Sequence, residues 1–298
     1  MKILKLLLLN FILIAVIICI FEIITFKLWT SPNKNYISSV FHSQSVDEYF
    51  TSLYKGDEVS NVVHSSFRKD LNTNSNKKPI LFMGCSFTHG TGINENETIS
   101  YLFAKKTNRP IYNRAGKGFG LDQYLYQFRR GDLYKQMQEP EYIIYTFIYD
   151  HFHRFNKFKI VPEDTVFQPR YKIKNNSLVE IKPTIFDYLF SVSYFNYSYT
   201  YWFNIENHKK LRLFFTETEK EIHKHWKNSK LVILVYDYDN SSIWEELKNQ
   251  NFQVIKVSEL TDINVNSSKY QVDGCHPSKE VWEILVPKLI KKLNIKLY

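Results

Sequence analysis

The chain of 298 residues is 44% hydrophobic and 23% charged, with only 9 glycines and 9 prolines, which excludes intrinsic disorder, collagen-like repeats and Pro/Gly low complexity. Its 3 cysteines are too few for a disulfide framework to organise the fold. The excess of 39 Lys and Arg over 30 Asp and Glu gives a net charge of +9, but these residues are scattered, with no basic helix, zinc-ligand spacing or aromatic RNA-binding strand, so no nucleic-acid partner is expected.

Residues Leu6 to Phe26 read LLLLNFILIAVIICIFEIITF, interrupted by Asn10, Glu22 and Thr25. As a helix this run spans roughly 31 Å, one bilayer crossing. No small-x-small cleavage site precedes Trp29, so the run predicts an uncleaved signal anchor over residues 1–28 and a single-pass membrane protein. Lys2 and Lys5 before the span set a cytoplasmic N-terminus and an extracytoplasmic body, with Lys27 and Lys34 voting the other way. Residues 29–78 form a stalk and packed lead-in, with an amphipathic stretch at Val46 to Tyr54 and a polar run from Asn72 to Lys78.

From Pro79 to the C-terminus the texture is that of one α/β domain. Apolar runs predict strands at ILFM before Gly84, at Ile111 to Asn113, Tyr142 to Tyr149, Leu231 to Tyr236 and Phe252 to Val257. Helical patterns separate them at Ile99 to Thr107, Leu121 to Gln138, Thr216 to Lys227 and Ile243 to Asn249, and Glu280 to Leu293 closes the chain. Near-continuous apolar strands alternating with helices predict a mostly parallel sheet in a three-layer α/β/α sandwich, whose site lies beyond the carboxyl ends of the strands. The segment from about 155 to 216 breaks the alternation and is rich in aromatics, as in Asp187 to Phe203; it is an insertion, either a lid or cap or an extra buried helix pair.

Three blocks carry the candidate chemistry. Gly84-Cys85-Ser86-Phe87-Thr88-His89-Gly90 puts a hydroxyl on the turn after the first strand, where a nucleophile needs a base to take its proton. Asp273-Gly274-Cys275-His276-Pro277 supplies an imidazole and an acid to orient it, just before the last helix. Between them Asn113-Arg114-Ala115-Gly116-Lys117-Gly118-Phe119-Gly120 follows the second strand. His151 and His153 also raise a metal reading, which no carboxylate or cysteine at ligand spacing completes, so neither a metal nor a cofactor is expected.

These blocks, in this order, resemble the SGNH or GDSL-like hydrolase family, from Pro79 to the terminal helix except for the insertion. The resemblance implies a five-stranded parallel sheet and ester hydrolysis or acyl transfer. It assigns Ser86 as nucleophile, His276 as base, Asp273 as its orienter, and the backbone N–H groups of Ser86 and Gly118 to the oxyanion hole. The chain departs from the family pattern twice. Cys85 stands where the family has Asp, and Tyr149-Asp150-His151 stands where it has Gly-x-Asn-Asp, whose Asn side chain completes the oxyanion hole. His151 is the candidate replacement donor, with Asp150 orienting His151 or Arg154. Cys85 and Cys275 flank the two reactive residues, either as a disulfide or as two free thiols. The implied protein is a membrane-anchored serine esterase that hydrolyses or transfers an acyl group, acetyl first, on a cell-envelope carbohydrate or lipid. Its substrate is an acylated small molecule, glycan or lipid, and the alternative is a non-catalytic envelope binding or scaffold protein that retains the fold.

Overall fold

The computed structural model describes residues 9–20, 67–68, 70–71, 76–155, 169–181, 208–237 and 241–297. Five parallel strands form one sheet: β1 (Ile80–Met83), β2 (Ile111–Asn113), β3 (Tyr142–Phe147), β6 (Lys230–Val235) and β7 (Gln253–Lys256), in the order β2-β1-β3-β6-β7. All pairings in it are parallel, as the expected sandwich requires. A separate hairpin pairs β4 (Arg170–Lys174) with β5 (Ser177–Ile181).

Side chains alternate along the buried strands and build two cores. Leu81, Met83, Ile143, Tyr145, Phe147 and Ile233 pack against α3 (Leu121–Arg130), α6 (His208–His225) and α7 (Ile243–Asn249). Ile80, Phe82, Ile144, Val232, Leu234 and Ile255 pack against α2 (Ile99–Thr107) and α9 (Lys279–Lys292). The chain runs from β1 out to β2 and back to β3, so the order reverses between β1 and β3, where the strand ends open a crevice.

Several expected boundaries move for local reasons. The helix expected from Leu121 to Gln138 is two, α3 and α4 (Asp132–Gln136), because Gly131 takes a left-handed conformation with φ 75° and its N–H caps Gln127 and Phe128. Strand β3 ends at Phe147 instead of Tyr149. There the Tyr149 N–H donates to Asp237 Oδ1 at 2.7 Å and the chain enters a short helix, α5 (Asp150–Arg154). Helix α6 starts at His208, eight residues before the expected Thr216. Of the expected insertion, the described residues form the first turns of α6 and the β4–β5 hairpin. Asn175 and Asn176 turn it with φ 50° and 58°, the left-handed pair that a two-residue hairpin loop demands. The aromatic stretch from Asp187 to Phe203 and the amphipathic Val46 to Tyr54 lie outside the described residues.

Residues 9–20 are helical and exposed throughout. Among the described residues no helix is long and apolar enough to cross a membrane.

Candidate active site

Ser86 opens α1 (Ser86–His89), a single turn directly after β1, which puts its hydroxyl at the carboxyl edge of the sheet beside the β1/β3 crevice. The entry into that turn requires glycine. Gly84 has φ 148°, and a Cβ there would lie 2.3 Å from Thr88 Oγ1 and 3.2 Å from the Thr146 carbonyl oxygen. The Tyr124 hydroxyl locks the same residue: it accepts the Gly84 N–H at 2.9 Å, and its own proton lies between the carbonyl oxygens of Gly84 at 2.7 Å and Arg114 at 2.9 Å. One buried phenol thus joins the exits of β1 and β2.

Asp273 and His276 come from the loop that leads into α9. Asp273 Oδ1 accepts the N–H groups of Cys275 at 3.1 Å and His276 at 2.8 Å, so the carboxylate folds its own loop. Its second oxygen, Oδ2, lies 2.6 Å from His276 Nδ1, and His276 Nε2 lies 2.8 Å from Ser86 Oγ. The Asp-x-x-His spacing therefore works as one tight turn. With Nδ1 donating to Asp273, Nε2 is left to accept the Ser86 hydroxyl proton. Partial burial pushes the Asp273 carboxyl up, but the hydrogen bonds from His276 and Cys275 outweigh it and hold the acid below the usual carboxylate range. Phe87 packs at 5.4 Å against the imidazole and at 5.2 Å against Tyr236, which steadies the histidine from the α9 side.

The loop after β2 approaches the same point. Asn113 braces it: its Nδ2 donates to Ser100 Oγ at 2.9 Å and the Thr88 carbonyl at 3.3 Å, and its Oδ1 accepts the Ala115 N–H at 3.1 Å. Gly118 has a left-handed backbone with φ 74°, and Phe119 N–H donates back to the Gly116 carbonyl at 3.1 Å. From α5, Arg154 pins the far end of the loop by donating from Nη1 to the Phe119 carbonyl at 2.6 Å, while its Nε donates to Asp150 Oδ2 at 2.8 Å. The Cys85 sulfur also lies beside this guanidinium, and Asp150 holds the arginine protonated against its burial.

His151, expected as a third oxyanion donor, is placed elsewhere. Its ring is fully buried against Tyr145 and Phe147, in the core that α3 and α6 cover. Nδ1 bonds to the Tyr145 hydroxyl at 2.8 Å and Nε2 has no hydrogen-bond partner, while burial, reinforced by Arg154, holds the imidazole well below its ordinary pKa. Among the described contacts none joins this imidazole to Ser86. Asp150 pairs with Arg154, one of the two partners expected for it. His151 and His153 lie on a short helix, so the strand alternation behind the metal reading does not apply, and the His153 side chain lies outside the described residues. Cys85 and Cys275 are both free thiols, the first buried and the second exposed. Tyr124 gave no signal in the sequence, because an aromatic residue in a helical pattern reads as core.

No known family's sequence profile matches the chain, and no curated protein matches it. Solved structures similar to it include TesA, at 10% identity, covering 72% of this chain and 98% of that one with a TM-score of 0.47. The psychrotrophic esterase EstA from Pseudoalteromonas sp. is 13% identical over 73% of this chain and 97% of its own, with a TM-score of 0.44. A family two carbohydrate esterase from Clostridium thermocellum, solved with cellohexaose, is 12% identical over 74% of this chain and 66% of its own, also with a TM-score of 0.44.

Proposed function

We propose that this protein is a serine ester hydrolase of SGNH type that works through an acyl-serine intermediate. The observation that carries the reading is the continuous relay from Ser86 Oγ to His276 Nε2 at 2.8 Å and from His276 Nδ1 to Asp273 Oδ2 at 2.6 Å. Ser86 Oγ attacks the ester carbonyl as His276 Nε2 takes its proton, and Asp273 holds the tautomer and stabilises the imidazolium. We assign the backbone N–H groups of Ser86 and Gly118, the donors that the family resemblance implies, to the developing oxyanion. His276 then gives the proton to the leaving alkoxide, and water, or an acceptor hydroxyl in a transfer reaction, releases the acyl group from Ser86. Without the family's Asn side chain the oxyanion has two backbone donors, and loss of one donor costs other hydrolases about 10²–10³ in turnover. A slow enzyme is the consequence.

The substrate we assign is an acyl ester on a cell-envelope carbohydrate or lipid, with acetyl esters the first to test. The protein is anchored by residues 6–26 with its catalytic domain outside the cytoplasm. Supporting the anchor, residues 9–20 are helical and their large apolar side chains are exposed, from Val16 at 47% to Phe11 at 71%. Full-length protein in mild detergent is expected to release p-nitrophenol from p-nitrophenyl acetate, with acetyl transfer to added glycan separating transferase from hydrolase. A folded protein with no turnover of any acyl ester would support the reading as a non-catalytic envelope binding protein. For topology, a reporter fused after Tyr298 is expected to be active only outside the cytoplasm.

A further inference from the structure

We infer that residues 67–68 and 70–71 form a strap that positions both catalytic loops, with Arg68 and Asp70 as positioning residues; this rests on the hydrolase reading. Each described residue of the segment holds one of the elements that carry Ser86 or Gly118. The Arg68 guanidinium closes the exit of the nucleophile turn: Nε donates to the His89 carbonyl at 2.9 Å, and Nη2 donates to the carbonyls of Gly90 at 2.7 Å and Ile93 at 3.1 Å. Nη1 reaches Glu95 at 3.3 Å. The turn's own ladder is short, with His89 N–H donating to the Cys85 carbonyl and Gly90 N–H to the Ser86 carbonyl at 3.0 Å each, and Arg68 holds the chain where it leaves the turn.

Asp70 performs the matching task on the other loop. It grips the Arg114 guanidinium with both oxygens, at 2.5 and 2.9 Å. Arg114 is 9% exposed at its side chain and its carbonyl receives the Tyr124 hydroxyl that also holds Gly84, so the clamp is tied into the joint between the β1 and β2 exits. Phe67 stands edge-on to Phe119 at 6.3 Å and under the Arg114 cation at 5.4 Å. Leu71 exchanges both backbone hydrogen bonds with Ile111, at 3.0 and 2.9 Å, which adds a one-residue rung to the free edge of β2. Among the described contacts none joins the strap to Asp273 or His276. The strap therefore sets the nucleophile and the oxyanion loop without touching the base.

The test is the rate of fluorophosphonate labelling of full-length protein in detergent, measured against pH together with thermal melting, for wild type, Arg68→Ala, Asp70→Asn and Ser86→Ala. The expected result is a plateau rate at least tenfold lower in Arg68→Ala and Asp70→Asn, with the midpoint of the pH profile unmoved because the His276 loop is intact. A role in stability alone lowers the melting temperature and leaves the plateau of the folded protein at the wild-type value; that result, or a moved midpoint, overturns the proposal. If Arg68→Ala does not fold, Asp70→Asn, which removes a charge and no volume, decides by the same criteria. Absence of Ser86-dependent labelling in wild type refutes the hydrolase reading, and this role with it.

Discussion

Asp273 has two tasks, one for each oxygen: Oδ1 shapes the loop through the N–H groups of Cys275 and His276, and Oδ2 orients the imidazole. An Asn at this position keeps one acceptor and loses the charge, so Asp273→Asn is expected to lower the esterase rate by about 10³–10⁴ while the domain still folds. Equal rates in the two proteins would remove Asp273 from the mechanism. Arg154 is the corresponding pin on the loop after β2, proposed to carry the oxyanion donor, through the Phe119 carbonyl. A charged hydrogen bond contributes about 1.5–3 kcal/mol, so Arg154→Met is expected to slow turnover by about 10–100-fold; an unchanged kcat would contradict it. Ser86, Asp273 and His276 were legible as a group because a short loop fixes the Asp-x-x-His geometry whatever surrounds it. The position of His151 was not, since the hydroxyl that claims its Nδ1 belongs to Tyr145, a residue that reads only as strand core.

At the element scale, α3 carries a buried carboxyl beside Gly120, at the end of the loop after β2. Asp122 lies in its first turn, and burial, opposed by its own helix N–H groups, Lys210 and Arg154, raises its carboxyl from the ordinary 3.8 to about 7. A raised folded pKa means that the native state binds a proton between pH 3.8 and about 7 that the unfolded chain has lost. The contribution of Asp122 to stability is therefore fully present below pH 3.8 and is lost as pH rises through about 7, by up to about 4 kcal/mol. Asp122→Asn removes this cost: urea unfolding is expected to show the variant more stable than wild type at pH 8 and matched to it at pH 4. An equal difference at both pH values would contradict the assignment. Helices α2 and α7 were legible to the residue because their apolar periodicity stops where the helix does. The break at Gly131 was not, because the apolar pattern of Leu133 and Met137 continues through it.

At the scale of the whole molecule, two helical layers cover a parallel sheet, and the reversal between β1 and β3 brings together loops that are far apart in sequence, with Ser86 and His276 separated by 190 positions. The fold was legible because strands buried on both faces lose the polar alternation of an exposed sheet, as ILFM and LVILV do. The β4–β5 hairpin was not, because its two strands carry charged residues with half of their side chains exposed and show no core signature. The proposed anchor belongs to this scale as well: the full chain is expected to stay with membranes through a carbonate wash, and a chain lacking residues 6–26 to be released, whereas retention of the shortened chain would contradict the anchor. The central claim is an activated Ser86, and intact mass measurement of full-length protein after treatment with a fluorophosphonate tests it most directly. The account predicts one adduct, mapped to Ser86, that disappears in Ser86→Ala and in His276→Ala; a folded wild-type protein with no adduct, or an adduct that survives either substitution, would contradict it.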